Sequence, residues 1–77
     1  MMNIKILGTG CKKCQELEKN TRIAVEELQL EAQVEKVEDI KEIMKYKVMS
    51  TPALVIDEKV VSTGKLLTVN ELKSALA

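Results

Sequence analysis

The stretch NIKILGTGCKKC, residues 3–14, decides how this chain is read. An apolar run from Asn3 to Leu7 is stopped by Gly8 and Gly10, and the only two cysteines, Cys11 and Cys14, follow three positions apart. The run reads as a short buried strand punctuated by its glycines. From Lys12 to about Gln29 the pattern turns helical, with Cys14, Leu17, Thr21, Ala24, Val25 and Leu28 recurring in steps of three and four on one face. Glu18 and Arg22 are spaced as an exposed i,i+4 pair on the other face. Cys11 is therefore expected at a helix mouth, where unpartnered N–H groups and the positive end of the helix dipole favour a thiolate over a thiol. Cys14 falls one turn further on, in line with the core-facing stripe. This pairing suits thiol exchange: the outer sulfur attacks a disulfide and the inner one resolves the mixed disulfide.

Working outward, AQVEKV at residues 32–37 reads as a second strand in which Lys36 interrupts the alternation, as at a sheet edge or a bulge. Asp39 is positioned to cap a short helix, with Glu42 three residues later and Ile40, Ile43 and Met44 expected inward. A loop at YKVMSTP leads to the strand ALVI, residues 53–56, and DEK turns it into VVS as a hairpin. Beyond Gly64, Thr68 and Glu71 form a T-x-x-E capping box before a helix with Val69, Leu72 and Leu76 on its apolar side. Met44 and Met49 read as core fillers, and Tyr46, the sole aromatic residue, as a cap on the core. The order β-α-β-α-β-β-α predicts an α/β fold. Its first unit gives a parallel pair with a right-handed crossover, and its hairpin an antiparallel pair. The result is a four-stranded mixed sheet flanked by three helices.

With 77 residues, 45% of them hydrophobic, the chain is expected to make one compact domain spanning 1–77. Twelve Lys and Arg balance twelve Asp and Glu, so neither nucleic acid nor an anionic membrane is an indicated partner. The longest apolar run, Ala53 to Ile56, is far short of the ~20 residues a spanning helix needs. No apolar segment of signal-peptide type follows Met1, which makes the cytosol the expected location. There, a cysteine pair is catalytic, redox-sensing or metal-binding more often than a staple, and so small a loop gains little from closure. Zinc is disfavoured, since two Cys and no His cannot supply four ligands. Copper(I), for which two thiolates suffice in a transfer protein, stays open as an alternative, as does a passive adaptor with vestigial or merely space-filling cysteines.

NIKILGTGCKKC running into a helix, VMSTPALVID, KVVSTGK and a closing helix together resemble the small thioredoxin-like, glutaredoxin-sized redox-active disulfide proteins of archaea and bacteria. The resemblance spans essentially the whole chain in element order. Its specific signals are C-x-x-C after the first strand and Thr51-Pro52 ahead of the third. It implies a thioredoxin-like fold with Pro52 in cis beside the sulfurs, Cys11 as nucleophile, Cys14 as resolving cysteine, and a Thr51 backbone that pairs with extended substrate. Gly10, Lys12, Lys13, Thr63 and Gly64 would complete the substrate side. The implied activity is that of a protein disulfide oxidoreductase, with no metal and no cofactor beyond the Cys11–Cys14 disulfide. Its implied partners are protein disulfides and an upstream thiol reductase, met by a monomeric, cytoplasmic chain.

Departures from the family pattern limit what carries over. Lys12 and Lys13 replace the Gly-Pro of common thioredoxins and the Pro-Tyr of many glutaredoxins, and no Trp precedes Cys11. An ungapped match puts Lys5 where thioredoxins keep a buried acid, so the general-base step needs another group or bulk water. The Gly-Gly-Asp type signature is reduced to STGK, residues 62–65, which argues against glutathione as a partner. Small copper chaperones also carry C-x-x-C between a first strand and a first helix. They usually have a Met just before the motif and β-α-β-β-α-β order, whereas Thr9 and Gly10 stand here.

Overall fold

The computed structural model describes residues 2–77. Strand β1 spans Met2–Leu7, helix α1 Lys12–Glu27, strand β2 Ala32–Val37 and helix α2 Ile40–Lys45. Strands β3, Ala53–Ile56, and β4, Lys59–Thr63, precede helix α3, Val69–Leu76. The sheet order is β2-β1-β3-β4, with β1 parallel to β2 and antiparallel to β3, and β3 antiparallel to β4. This is the mixed four-stranded arrangement expected from the element order.

Alternation along β1 sorts the core onto two faces. Ile4 and Ile6 join Leu17, Ala24, Leu54, Leu72 and Leu76 beneath α1 and α3. Leu7 joins Ala53, Val55 and Ile43 on the α2 side. Leu17, Leu54 and Leu72 are fully buried, and each such side chain contributes about 1.5–3 kcal/mol through removal of apolar surface from water. The α1 stripe is as its spacing predicts: Cys14, Leu17, Thr21 and Ala24 are buried, and the Thr21 hydroxyl donates to the Leu17 carbonyl at 2.7 Å. Glu18 and Arg22 pair at 2.9 Å. The helix stops two residues short of the expected Gln29, which takes a left-handed φ of 53°.

β2 is an edge strand in unbroken register with β1, so Lys36 marks an edge rather than a bulge. The irregularity lies instead between β3 and β4, at Leu54/Val55. The hairpin turn rests on Asp57 and Glu58, both in the left-handed region at φ 49° and 69°. Two positive φ values match the twist of a two-residue hairpin. At the other end of the chain, the Thr68–Glu71 capping box is present in full.

Helix α2 corrects one expectation. Asp39 caps it, accepting from the Lys41 N–H at 2.9 Å, but only Ile43 is buried. Ile40 is 60% exposed and Met44 66% exposed, while Met49 in the following loop is 97% exposed. Six residues make under two turns, so one side chain meets the sheet squarely. Val37, Tyr46 and Val48 fill the remaining space over the Leu7–Val55 cluster, which leaves neither methionine a place in the core.

Candidate active site

The end of β1 sets the site. The Gly8 N–H donates to the Val37 carbonyl at 3.0 Å, holding the strand end beside β2 before the chain turns through Thr9 and Gly10. Gly8 is buried, and a Cβ on it would run into the Cys14 sulfur and lie 3.1 Å from the Cys14 Cβ. The absence of a side chain there is what lets the first turn of α1 settle on the strand end. Gly10 takes a left-handed φ of 84° that delivers the chain into the helix.

Cys11 is the N-cap of α1: it has extended backbone, and its sulfur accepts from the Cys14 N–H at 3.2 Å. A polarisable sulfur occupies the place where Ser or Asp oxygens usually satisfy an orphan donor. The two cysteines are joined in a disulfide, with Cα atoms 5.0 Å apart. Cys11 is exposed and Cys14 only 5% exposed. The outer sulfur therefore meets solvent at a helix start, and the inner one is sheltered.

Pro52, fully buried and preceded by a cis peptide bond, also borders Gly8, its Cα 3.9 Å from the position a Gly8 Cβ would take. Thr51 is exposed beside it. Thr63 sits opposite Ala53 in the hairpin, and the Gly64 N–H donates to the Pro52 carbonyl at 2.8 Å, so both border the Pro52 segment. Lys12 and Lys13 are exposed on the first turn of α1. A cavity of about 50 Å³ opens beside Cys14, bounded by Gly8, Gly10, Gln15, Lys36 and Glu38.

Sequence reasoning named neither Gln15 nor Glu38. The only trace was the alternation of β2, which sets Lys36 opposite Ile6, with Glu38 two positions further on, just past the end of the strand. Lys5 points to the other face, its sheet neighbour being Val55. Its ammonium donates to the Tyr46 hydroxyl and to Glu58, each at 3.0 Å, and lies 5.7 Å from the Tyr46 ring centre. The Tyr46 hydroxyl donates in turn to Glu58 at 3.0 Å. The Tyr46 hydrogen bond, with Glu58 second, raises the Lys5 pKa, and Lys5 in turn lowers that of Glu58. Tyr46 does cover the core edge, packing on the Leu7–Val55 cluster, but its hydroxyl belongs to this ion-pair network.

Among the described residues no group of three or more His, Cys, Asp or Glu side chains could hold a metal ion, and no helix is long and apolar enough to cross a membrane.

Comparison with known proteins bears on the same residues. Residues 2–77 match the thioredoxin domain family. The chain is 39% identical over 77 residues to a thioredoxin of Methanothermobacter thermautotrophicus, covering all of both chains. It is 42% identical over 76 residues to a thioredoxin of Methanocaldococcus jannaschii, covering 99% of this chain and 87% of that one. A solved structure described as that of a malarial protein superposes with a TM-score of 0.75 at 12% identity, over 99% of this chain and 93% of that one, a likeness of fold.

Proposed function

The chain belongs to the thioredoxin family and is a thiol–disulfide oxidoreductase working through its C-x-x-C pair, and from that premise we propose how the labour divides: Cys11 is the nucleophile and Cys14 the resolving cysteine. The observation that carries this reading is the asymmetry of the pair, an exposed sulfur at the N-cap of a 16-residue helix joined to a buried one a turn further on.

In the reduced protein the Cys11 thiolate faces the free N–H groups and positive dipole end of α1, an environment that lowers cysteine pKa values to roughly 3.5–7.5. The thiolate attacks a partner disulfide, forming a Cys11–partner bond and releasing one partner sulfur. Cys14 then attacks Cys11, releases the second partner sulfur and leaves the Cys11–Cys14 disulfide, so that two electrons have passed to the partner. An upstream thiol reductase returns them, and no cofactor beyond the disulfide takes part. The partner segment lies extended along Thr51 and Pro52, framed by Gly10, Lys12, Lys13, Thr63 and Gly64. The exposure of Thr51 and the packing of Pro52 against Gly8 support that placement. Residues 1–77 work as one monomeric domain in the cytoplasm, with protein disulfides rather than glutathione as substrates.

The test is trapping. Cys14→Ser mixed with a protein disulfide should accumulate a covalent complex through Cys11, visible on a non-reducing gel and dissolved by dithiothreitol, while Cys11→Ser should form none. Complexes that form through Cys14 in Cys11→Ser, and not through Cys11, would reverse the assignment.

A further inference from the structure

Resolution requires a Cys14 thiolate, and Cys14 is 5% exposed. The residue in line for the family's buried acid, Lys5, is a cation on the opposite face, tied to Tyr46 and Glu58. The cavity beside Cys14 holds the alternative. Its volume of about 50 Å³ exceeds the ~10–15 Å³ that one water requires, and Gln15, Lys36 and Glu38, set among walls that are otherwise largely apolar, offer the polar partners a water needs. Glu38 stands at its rim: a carboxylate oxygen of Glu38 lies 3.0 Å from where a Cβ of Gly10 would project. Lys36, opposite Ile6 in the sheet and so on the α1 face, lines the same cavity.

We infer that Glu38 is the proton-relay residue for Cys14, receiving the thiol proton through water held in the cavity between Gly8, Gly10 and Cys14. The inference rests on the dithiol cycle above. In the resolving step the Cys14 sulfur gives an electron pair to Cys11, the Cys11–partner bond breaks with its pair leaving on the partner sulfur, and the Cys11–Cys14 bond forms. The Cys14 proton passes to the cavity water as that water protonates the Glu38 carboxylate. From Glu38, which is exposed, the proton returns to solvent or to the departing partner thiolate. A carboxylate alone would disfavour a neighbouring thiolate. The Lys36 ammonium supplies the countercharge, with Glu18 3.9 Å from it on the α1 side and Lys12 and Lys13 exposed at the helix start.

Dithiobis-nitrobenzoate at one equivalent separates the two steps, because each attack releases one coloured thiolate. In Glu38→Gln the first release, from attack by Cys11, should change little. The second should slow about 10- to 100-fold near neutral pH, at or below the low end of general-base effects, since the carboxylate is exposed and acts through water. The deficit should close as pH rises and Cys14 ionises unaided, and Glu38→Asp should recover most of the rate. A second release that is unchanged, faster, or slowed equally at every pH overturns the relay. Cys14→Ser in the same assay must stop after one release. If it releases both, the dithiol cycle itself fails, whereas a normal Glu38→Gln beside a one-release Cys14→Ser removes the relay alone.

Discussion

Replacing Gly8 with alanine adds one methyl group at the most crowded point beside the disulfide. The new carbon would overlap the Cys14 sulfur and stand 3.1 Å from its Cβ, and Cys14 is buried in the first turn of α1, so relief requires the sulfur to turn into the cavity beside it or the helix to shift. Pro52 Cα, at 3.9 Å, is in ordinary contact and adds no penalty. Overpacking of this kind costs about 1–3 kcal/mol. Against it, alanine restricts the unfolded chain and returns about 0.4–1 kcal/mol, because Gly8 is not among the left-handed glycines. The expected net loss is about 1–2 kcal/mol, or roughly 4–16 °C in Tm for a chain of this size. The assay is urea denaturation in excess dithiothreitol, which removes the disulfide from every variant, carried out as a double-mutant cycle with Cys14→Ala. Without the sulfur, Gly8→Ala should cost under about 0.5 kcal/mol, leaving only the tight Cβ contact. An equal cost in both backgrounds would show that the sulfur is not what excludes a side chain at position 8, and the account of the Gly8 contact would fall.

Leu17→Ala opens a void between α1 and the Ile4–Leu54 face of the sheet, where Leu17 is fully buried. The loss should be about 2–5 kcal/mol, a large part of the roughly 4–12 kcal/mol typical for this length. Midpoints shifted by less than 1 kcal/mol with an unchanged m-value would contradict that packing. Glu58 titrates below its ordinary value of 4.5 in the folded chain, chiefly through the Lys5 hydrogen bond, so its contribution is present above that value and is lost as pH falls through the lowered one. Glu58→Gln should accordingly be less stable than the native chain at neutral pH and converge on it in acid. A gap that persists undiminished to pH 2 would show that the loss comes from something other than the charge.

Much of this architecture is legible in the chain. β2 and β3 run where their apolar patterns place them, the Cys14–Leu17–Thr21–Ala24 stripe faces the core, and the Thr68–Glu71 spacing forms its capping box. These features depend on neighbours within about four positions, which is the range over which helix period, strand alternation and caps act. The same range places Cys11 at a helix mouth and Cys14 behind it. It does not reach the outward turn of Ile40 and Met44, which follows from Tyr46 and Val48 occupying the sheet face first. Nor does it reach the Lys5–Tyr46–Glu58 network, whose members are 41 and 53 positions from Lys5, or the Glu38 carboxylate over Gly10. Local pattern determined which segments are strands and helices and where the sulfurs stand. Only the folded sheet decided what surrounds them, because contacts between distant segments arise from competition for the same space and leave no period in the chain.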